Sequence, residues 1–164
     1  MIDYLILIQA RLGSKRFPNK VMQTVGGVPM VKRVWQAAKR LESRFSAKVV
    51  VAWPERYQDL DENNVLERFR RLSNEFPSQW IIRLTSDCPL LDSKDIVAAI
   101  GKHCQMNGYY NNGMDGRDVQ IFPSNWLRYE WFTDKEHIVK DKPNIGGCSV
   151  DTKSDLQIIR DYAR

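Results

Sequence analysis

Tyr4-Leu5-Ile6-Leu7-Ile8 runs straight into Gln9-Ala10-Arg11-Leu12-Gly13-Ser14-Lys15-Arg16-Phe17-Pro18-Asn19-Lys20, and this junction decides how the chain is read. Five apolar residues without alternation suit a strand buried on both faces, which usually means a parallel sheet sheltered by helices. The stretch that follows brings Arg11, Lys15, Arg16 and Lys20, one glycine, one serine and no acid. A buried strand that empties into a basic Gly/Ser turn can hold a polyanion. The turn's N–H groups face inward and long cationic side chains close over the phosphates. The spacing is neither G-x-x-x-x-G-K-[ST] nor G-x-G-x-x-G, and Gly13 is the only glycine, so such a grip leans on side chains. A solvated loop that is merely basic is the competing reading.

Working outward, Pro29 stands at a helix start, and Val31, Val34, Trp35, Ala38 and Leu41 follow at spacings of three and four. Lys48 to Trp53 holds a second buried strand, closed by Pro54, so strand, helix and strand make one βαβ unit. Val65, Leu66, Phe69, Leu72 and Phe76 define the next helix face, stopped by Pro77, and Trp80 to Leu84 is a third strand. Asp92 or Ser93 caps a helix from Lys94 to about His103. A weak strand at 108–111, another over Asp118 to Phe122 and a short helix over Ser124 to Trp131 make an irregular excursion. Thr152 and Asp155 form a capping box before a last helix, with Leu156, Ile159 and Tyr162 inward. The fold class is α/β: one Rossmann-like sandwich, its sheet mostly parallel and its helices on both faces.

With 164 residues the chain supports one domain, 1–164, and its formal charge of +5 suits small anionic ligands without the density of a nucleic-acid binder. Cys88, Cys104 and Cys148 are odd in number and widely spaced, which argues against a disulfide framework or zinc knuckle. No signal-peptide pattern or membrane-length apolar run is present, so the expected location is cytoplasmic. Phe122, Trp126, Tyr129, Trp131 and Phe132 are more apolar than a surface helix needs; the expectation is a homodimer, with a core role as the alternative.

Ligands of open α/β sheets collect at the carboxyl ends of the strands. Loop 11–20 reaches that edge, as do Asp87 after the third strand and Asp151 after a strand ending at Val150. Two carboxylates beside a basic cleft suggest magnesium bridging carboxylate and phosphate oxygens. Taken singly, Asp87 could make an Asx-turn and Asp151 could be an ordinary acid before a helix. His103, at a helix end, reads as a cap, and lone His137 as a structural hydrogen bond. Cys88 lacks a nearby base and reads as packing.

The ordered motifs carry a resemblance. Loop 9–20, Gly26-Gly27-Val28-Pro29-Met30, Asn64-Val65-Leu66-Glu67-Arg68 and Arg83-Leu84-Thr85-Ser86-Asp87-Cys88-Pro89-Leu90 are followed by Asp115-Gly116-Arg117-Asp118-Val119-Gln120, Glu136-His137 and Val150-Asp151-Thr152. In this order they resemble the sugar cytidylyltransferases: the CMP-Kdo and CMP-acylneuraminate synthetases and the related spore-coat polysaccharide proteins. The resemblance implies a nucleotidyltransferase sandwich, in which magnesium-dependent transfer of CMP from CTP to a sugar acid releases pyrophosphate. It puts Ala10, Arg11, Gly13, Ser14, Lys15, Arg16 and Lys20 around CTP, Asp87 and Asp151 on the metal, and Arg83, Asp115, Asp118 and Gln120 on the acceptor side. Arg11, Lys20, Asp87 and Asp151 would carry catalysis. Two departures stand out. The section after the second strand, around 53–63, is short, and Asn64 and Gln120 replace the usual acids. They leave open a catalytically weak binding module built on the same fold.

Overall fold

The computed structural model describes residues 1–14, 17–57, 59–61, 64–106, 108–113, 117–128 and 149–163. Its centre is β1 (Ile2–Gln9), whose residues Leu5 to Ile8 are wholly buried. On one side β1 pairs in parallel with β4 (Ala47–Ala52), and on the other with β5 (Ser78–Thr85). Antiparallel pairing then adds β7 (Gln120–Pro123) to β5 and β6 (Tyr110–Asn111) to β7, giving the order β4-β1-β5-β7-β6. The sheet is therefore mixed. Its parallel half lies where the buried apolar runs placed it, and its antiparallel half comes from the excursion.

Strand alternation assigns the two faces. Tyr4, Ile6 and Ile8 pack under α1 (Met30–Lys39) and α3 (Ser93–Met106), through Val34, Ala38, Ile96 and Ile100. Leu5 and Leu7 pack under α2 (Val65–Glu75), through Val65, Phe69 and Leu72. The expected helices on both faces are present. Asn64 accepts the Glu67 N–H at 3.2 Å and caps α2. Between β4 and α2 the described residues hold a 3-10 turn, Pro54–Arg56.

A small hairpin escaped the sequence reading. β2 (Thr24–Val25) and β3 (Val28–Pro29) pair antiparallel across Gly26 and Gly27, whose φ angles of 56° and 74° lie in the left-handed region that favours glycine. Two-residue strands fall below any periodicity. The hairpin's Val25 joins Phe17, Met30 and Val150 and, from α4 (Lys153–Tyr162), Leu156 and Ile159 in a satellite core.

Four expectations need correction. Tyr162 does not face in; it is exposed, with only Leu156 and Ile159 of α4 buried. His103 is no helix cap; it is buried, edge-on to Trp80 with ring centroids 4.2 Å apart. Phe122 is a wholly buried core residue and not part of an exposed aromatic surface, and Trp126 packs partly buried against the α2-side core and stacks on Tyr109. The helix expected over 124–131 is a 3-10 turn at Ser124–Arg128 among the described residues; Tyr129, Trp131, Phe132 and His137 lie outside them. No helix among the described residues is long and apolar enough to cross a membrane.

Candidate active site

The chain leaves β1 for β4 on one side and later returns to β5 on the other, so the carboxyl end of β1 is a topological switch point. Ser86 extends the ladder there, its N–H donating to the Gln9 carbonyl at 3.0 Å. Asp87 follows in a turn. Beyond the opposite end of the basic loop, Asn19 sits in the left-handed region at φ 55°, a conformation asparagine accepts more readily than most residues. A 3-10 turn, Lys20–Met22, starts directly after it, and Lys20 turns inward, only 8% exposed.

Asp151 arrives by a route the sequence did not suggest. Among the described residues, Ser149 to Asp151 belong to no strand of the sheet. Buried Val150 instead donates its N–H to the Asp87 carbonyl at 2.9 Å, stitching the two acidic segments together. The capping box at Thr152 then takes hold. Asp155 accepts from the N–H groups of Asp151 and Thr152 at 3.0 and 2.7 Å, and Thr152 Oγ1 accepts from Asp155 N at 3.2 Å.

Lys20 lies between the two carboxylates. Its Nζ donates to Asp87 Oδ2 at 2.7 Å, Asp151 Oδ1 at 3.0 Å and the Val150 carbonyl at 2.9 Å. Burial pushes the ammonium down, but Asp87 and Asp151 outweigh it and hold the pKa above the ordinary lysine value. Burial likewise pushes Asp87 up, yet Lys20 and a hydrogen bond from Thr85 leave it below the usual carboxylate range. Lys20 and Asp87 are thus both charged at neutral pH. It opens on a cleft of about 140 Å³ lined by Gln9, Arg11, Lys20, Thr85, Asp87 and Asp151, among others.

The other expected residues divide. Arg11 lines the cleft, whereas Ala10 is buried in a small core with Val21 and Val31. Gly13 is exposed; Ser14 is buried, its hydroxyl accepting the Phe17 N–H at 3.4 Å and so bracing its own loop. Arg83 is buried at the end of β5. It donates to Gln9 Oε1 at 3.0 and 2.6 Å and to Gln120 Oε1 at 2.7 Å, tying three strands together beside the cleft. Asp118 is buried behind Cys88, whose sulfur lies 3.8 Å from Asp118 Oδ2 and 3.9 Å from Asp87 Oδ1. Burial and these acids push the Cys88 thiol well up, so it is a packing residue and not a nucleophile. Lys15, Arg16 and Asp115 lie outside the described residues. The sequence reading missed Gln9 and Thr85. Gln9 gave one signal: a polar residue ending an apolar strand, on the same face and one strand over from charged Arg83.

Residues 5–56, from β1 through the basic loop to the turn after β4, match the family described as Cytidylyltransferase. The chain is 30% identical over 128 residues to the spore coat polysaccharide biosynthesis protein SpsF of Bacillus subtilis (strain 168). It is a relative of the CMP-sugar cytidylyltransferases. The SpsF match covers 67% of this chain and 53% of that protein, so the chain spans about half that relative's length. A 3-deoxy-manno-octulosonate cytidylyltransferase of Polynucleobacter asymbioticus is 42% identical over 65 residues, 38% of this chain and 24% of that enzyme. In three dimensions, a cytidylyltransferase from Leptospira borgpetersenii superposes with a TM-score of 0.72 at 18% identity, covering 98% of this chain and 86% of that one. The sandwich of this cytidylyltransferase relative is therefore a nucleotidyltransferase fold.

Proposed function

We propose that this chain transfers the cytidylyl group of CTP to a hydroxyl of a sugar, of the 2-keto sugar acid class, and releases pyrophosphate. The observation that carries the proposal is the meeting of Asp87 and Asp151 on one cation, Lys20, at the switch point of the sheet. Kinship with enzymes that activate 3-deoxy-manno-octulosonate supports the acceptor class.

Two carboxylates within reach of one small cation are a hard-oxygen donor set, which suits magnesium. Among the described residues no third acid, histidine or cysteine completes a cluster, so triphosphate oxygens and water would supply the remaining ligands. Bound by Asp87 and Asp151, the ion would polarise the α-phosphate and neutralise charge on its oxygens. The chain's own residues do the rest. Arg11 and Lys20 place positive charge where the leaving pyrophosphate gains negative charge. Arg83, Gln9 and Gln120 form a braced polar floor on the acceptor side, which fixes the sugar's approach. The new bond joins the sugar oxygen to the α-phosphorus, the bond from that phosphorus to the bridging oxygen breaks so that pyrophosphate leaves with that oxygen, and the hydroxyl proton passes to solvent water.

Pyrophosphate release from CTP, measured against a panel of 2-keto sugar acids, tests the proposal. Asp87→Asn and Asp151→Asn should each lower the rate by about a hundredfold or more. A wild-type protein that binds CTP with magnesium yet releases no pyrophosphate with any acceptor would instead favour the binding module.

A further inference from the structure

An ammonium group has three N–H bonds, and in Lys20 all three are committed: to Asp87, Asp151 and the Val150 carbonyl. The nitrogen sits 2.7 and 3.0 Å from one oxygen of each carboxylate. A magnesium ion held by those oxygens needs contacts of about 2.1 Å and would fall almost on top of the nitrogen. The two cations exclude each other. For the same reason Lys20 cannot keep these bonds and also donate to a triphosphate.

We propose that Lys20 is a resident counter-ion: in the metal-free protein it neutralises Asp87 and Asp151, and a divalent cation enters only as Lys20 swings out to the triphosphate. This rests on the functional reading above and adds an order of events to it. Without a cation, the paired acids would repel across a partly buried site. Lys20 removes that repulsion and keeps Asp87 and Asp151 converged before substrate arrives. It also makes the metal alone a poor ligand, because binding must strip a desolvated ammonium of three acceptors with nothing to receive it. CTP supplies the receiving oxygens, so nucleotide and metal bind cooperatively. The lysine stem suits the movement. It rises from a one-turn 3-10 segment whose preceding residues, Pro18 and Asn19, are exposed, so the ammonium can move without opening the satellite core.

The test measures manganese binding by electron paramagnetic resonance in the absence of nucleotide, in the wild type and in Lys20→Met. The variant should bind Mn²⁺ alone about tenfold or more tightly than the wild type. Because the substitution leaves two neighbouring, partly exposed acids unneutralised, its melting temperature should be lower, and added Mg²⁺ should raise it by more than it raises the wild type's. Equal Mn²⁺ affinity in the two proteins, or an equal rise with Mg²⁺, would overturn the proposal. A separate titration of wild type with CTP and magnesium tells the two failures apart. Loss of CTP binding there defeats the functional reading alone, whereas CTP binding without any metal gain in Lys20→Met defeats only the counter-ion.

Discussion

At the scale of single residues, charge and burial set the predictions. Asp87 and Asp151 look like a repelling pair in sequence, and relief of repulsion on neutralising one would then be expected. The structure reverses the sign, because Lys20 lies between them. Asp87→Asn should therefore lower the melting temperature of the metal-free protein, by the equivalent of about 1–2 kcal/mol, since it leaves a buried ammonium short of a partner. Calorimetry that finds the variant unchanged or more stable would mean the ion pair contributes nothing. His103 governs a different window. Burial holds its pKa below the ordinary 6.5, with the Gly108 carbonyl only partly offsetting this, and its Nδ1 has no partner among the described residues. A base whose folded pKa is depressed takes up its proton first in the unfolded chain, so stability falls as pH drops below about 6.5. Melts from pH 7.5 to 5 should show that slope, and His103→Leu should flatten it. Asp87 and Lys20 titrate outside this range and leave the slope alone. Lys20, Asp87 and Asp151 were legible in sequence because each lies in a spaced motif. His103 was not, since a lone histidine near a helix end looks the same whether it caps the helix or meets Trp80 across the core.

At the scale of elements, the capping box on α4 does more than start a helix. Asp155 also accepts the Asp151 N–H, so the same carboxylate that closes the box also orients one of the two acids paired with Lys20. Thr152→Ala should cost about 1 kcal/mol of stability and also weaken binding of CTP with magnesium. A loss of stability with unchanged binding would show that Asp151 is held by its other contacts alone. The box was legible because Thr152 and Asp155 lie three apart before an apolar run. β1, β4, β5 and the three long helices were legible for a similar reason: each carries enough buried residues to print its period. The hairpin at Gly26-Gly27 and the path of Val150 were not. The first is too short to have a period, and the second is a single backbone hydrogen bond to a residue 63 positions earlier.

At the scale of the whole molecule, the sheet ends on β4, whose outer edge faces no strand among the described residues. Glu42 covers part of it. Its Oε1 accepts the Val49 N–H at 2.7 Å while Lys39 pairs with its other oxygen. Burial pushes the Glu42 carboxyl up, but Lys39 and Val49 together hold it below the usual range, so the cover stays charged at neutral pH. Glu42→Ala should uncover an apolar Val-Val-Val edge and make the sedimentation coefficient rise with concentration more steeply than in the wild type. Identical behaviour of the two proteins would mean the edge is protected some other way.

The stitch between Val150 and Asp87 matters in one more setting, the growing chain on a ribosome. Lys20 is made early and Asp87 midway, but Asp151 is 131 residues behind Lys20. The parallel core of β1, β4 and β5 is complete by Thr85, long before Asp151 is translated. A nascent chain stalled before residue 150 thus has every strand of that parallel core and still lacks half of its acidic pair, and Lys20 gains its second carboxylate only when Val150 and Asp151 dock.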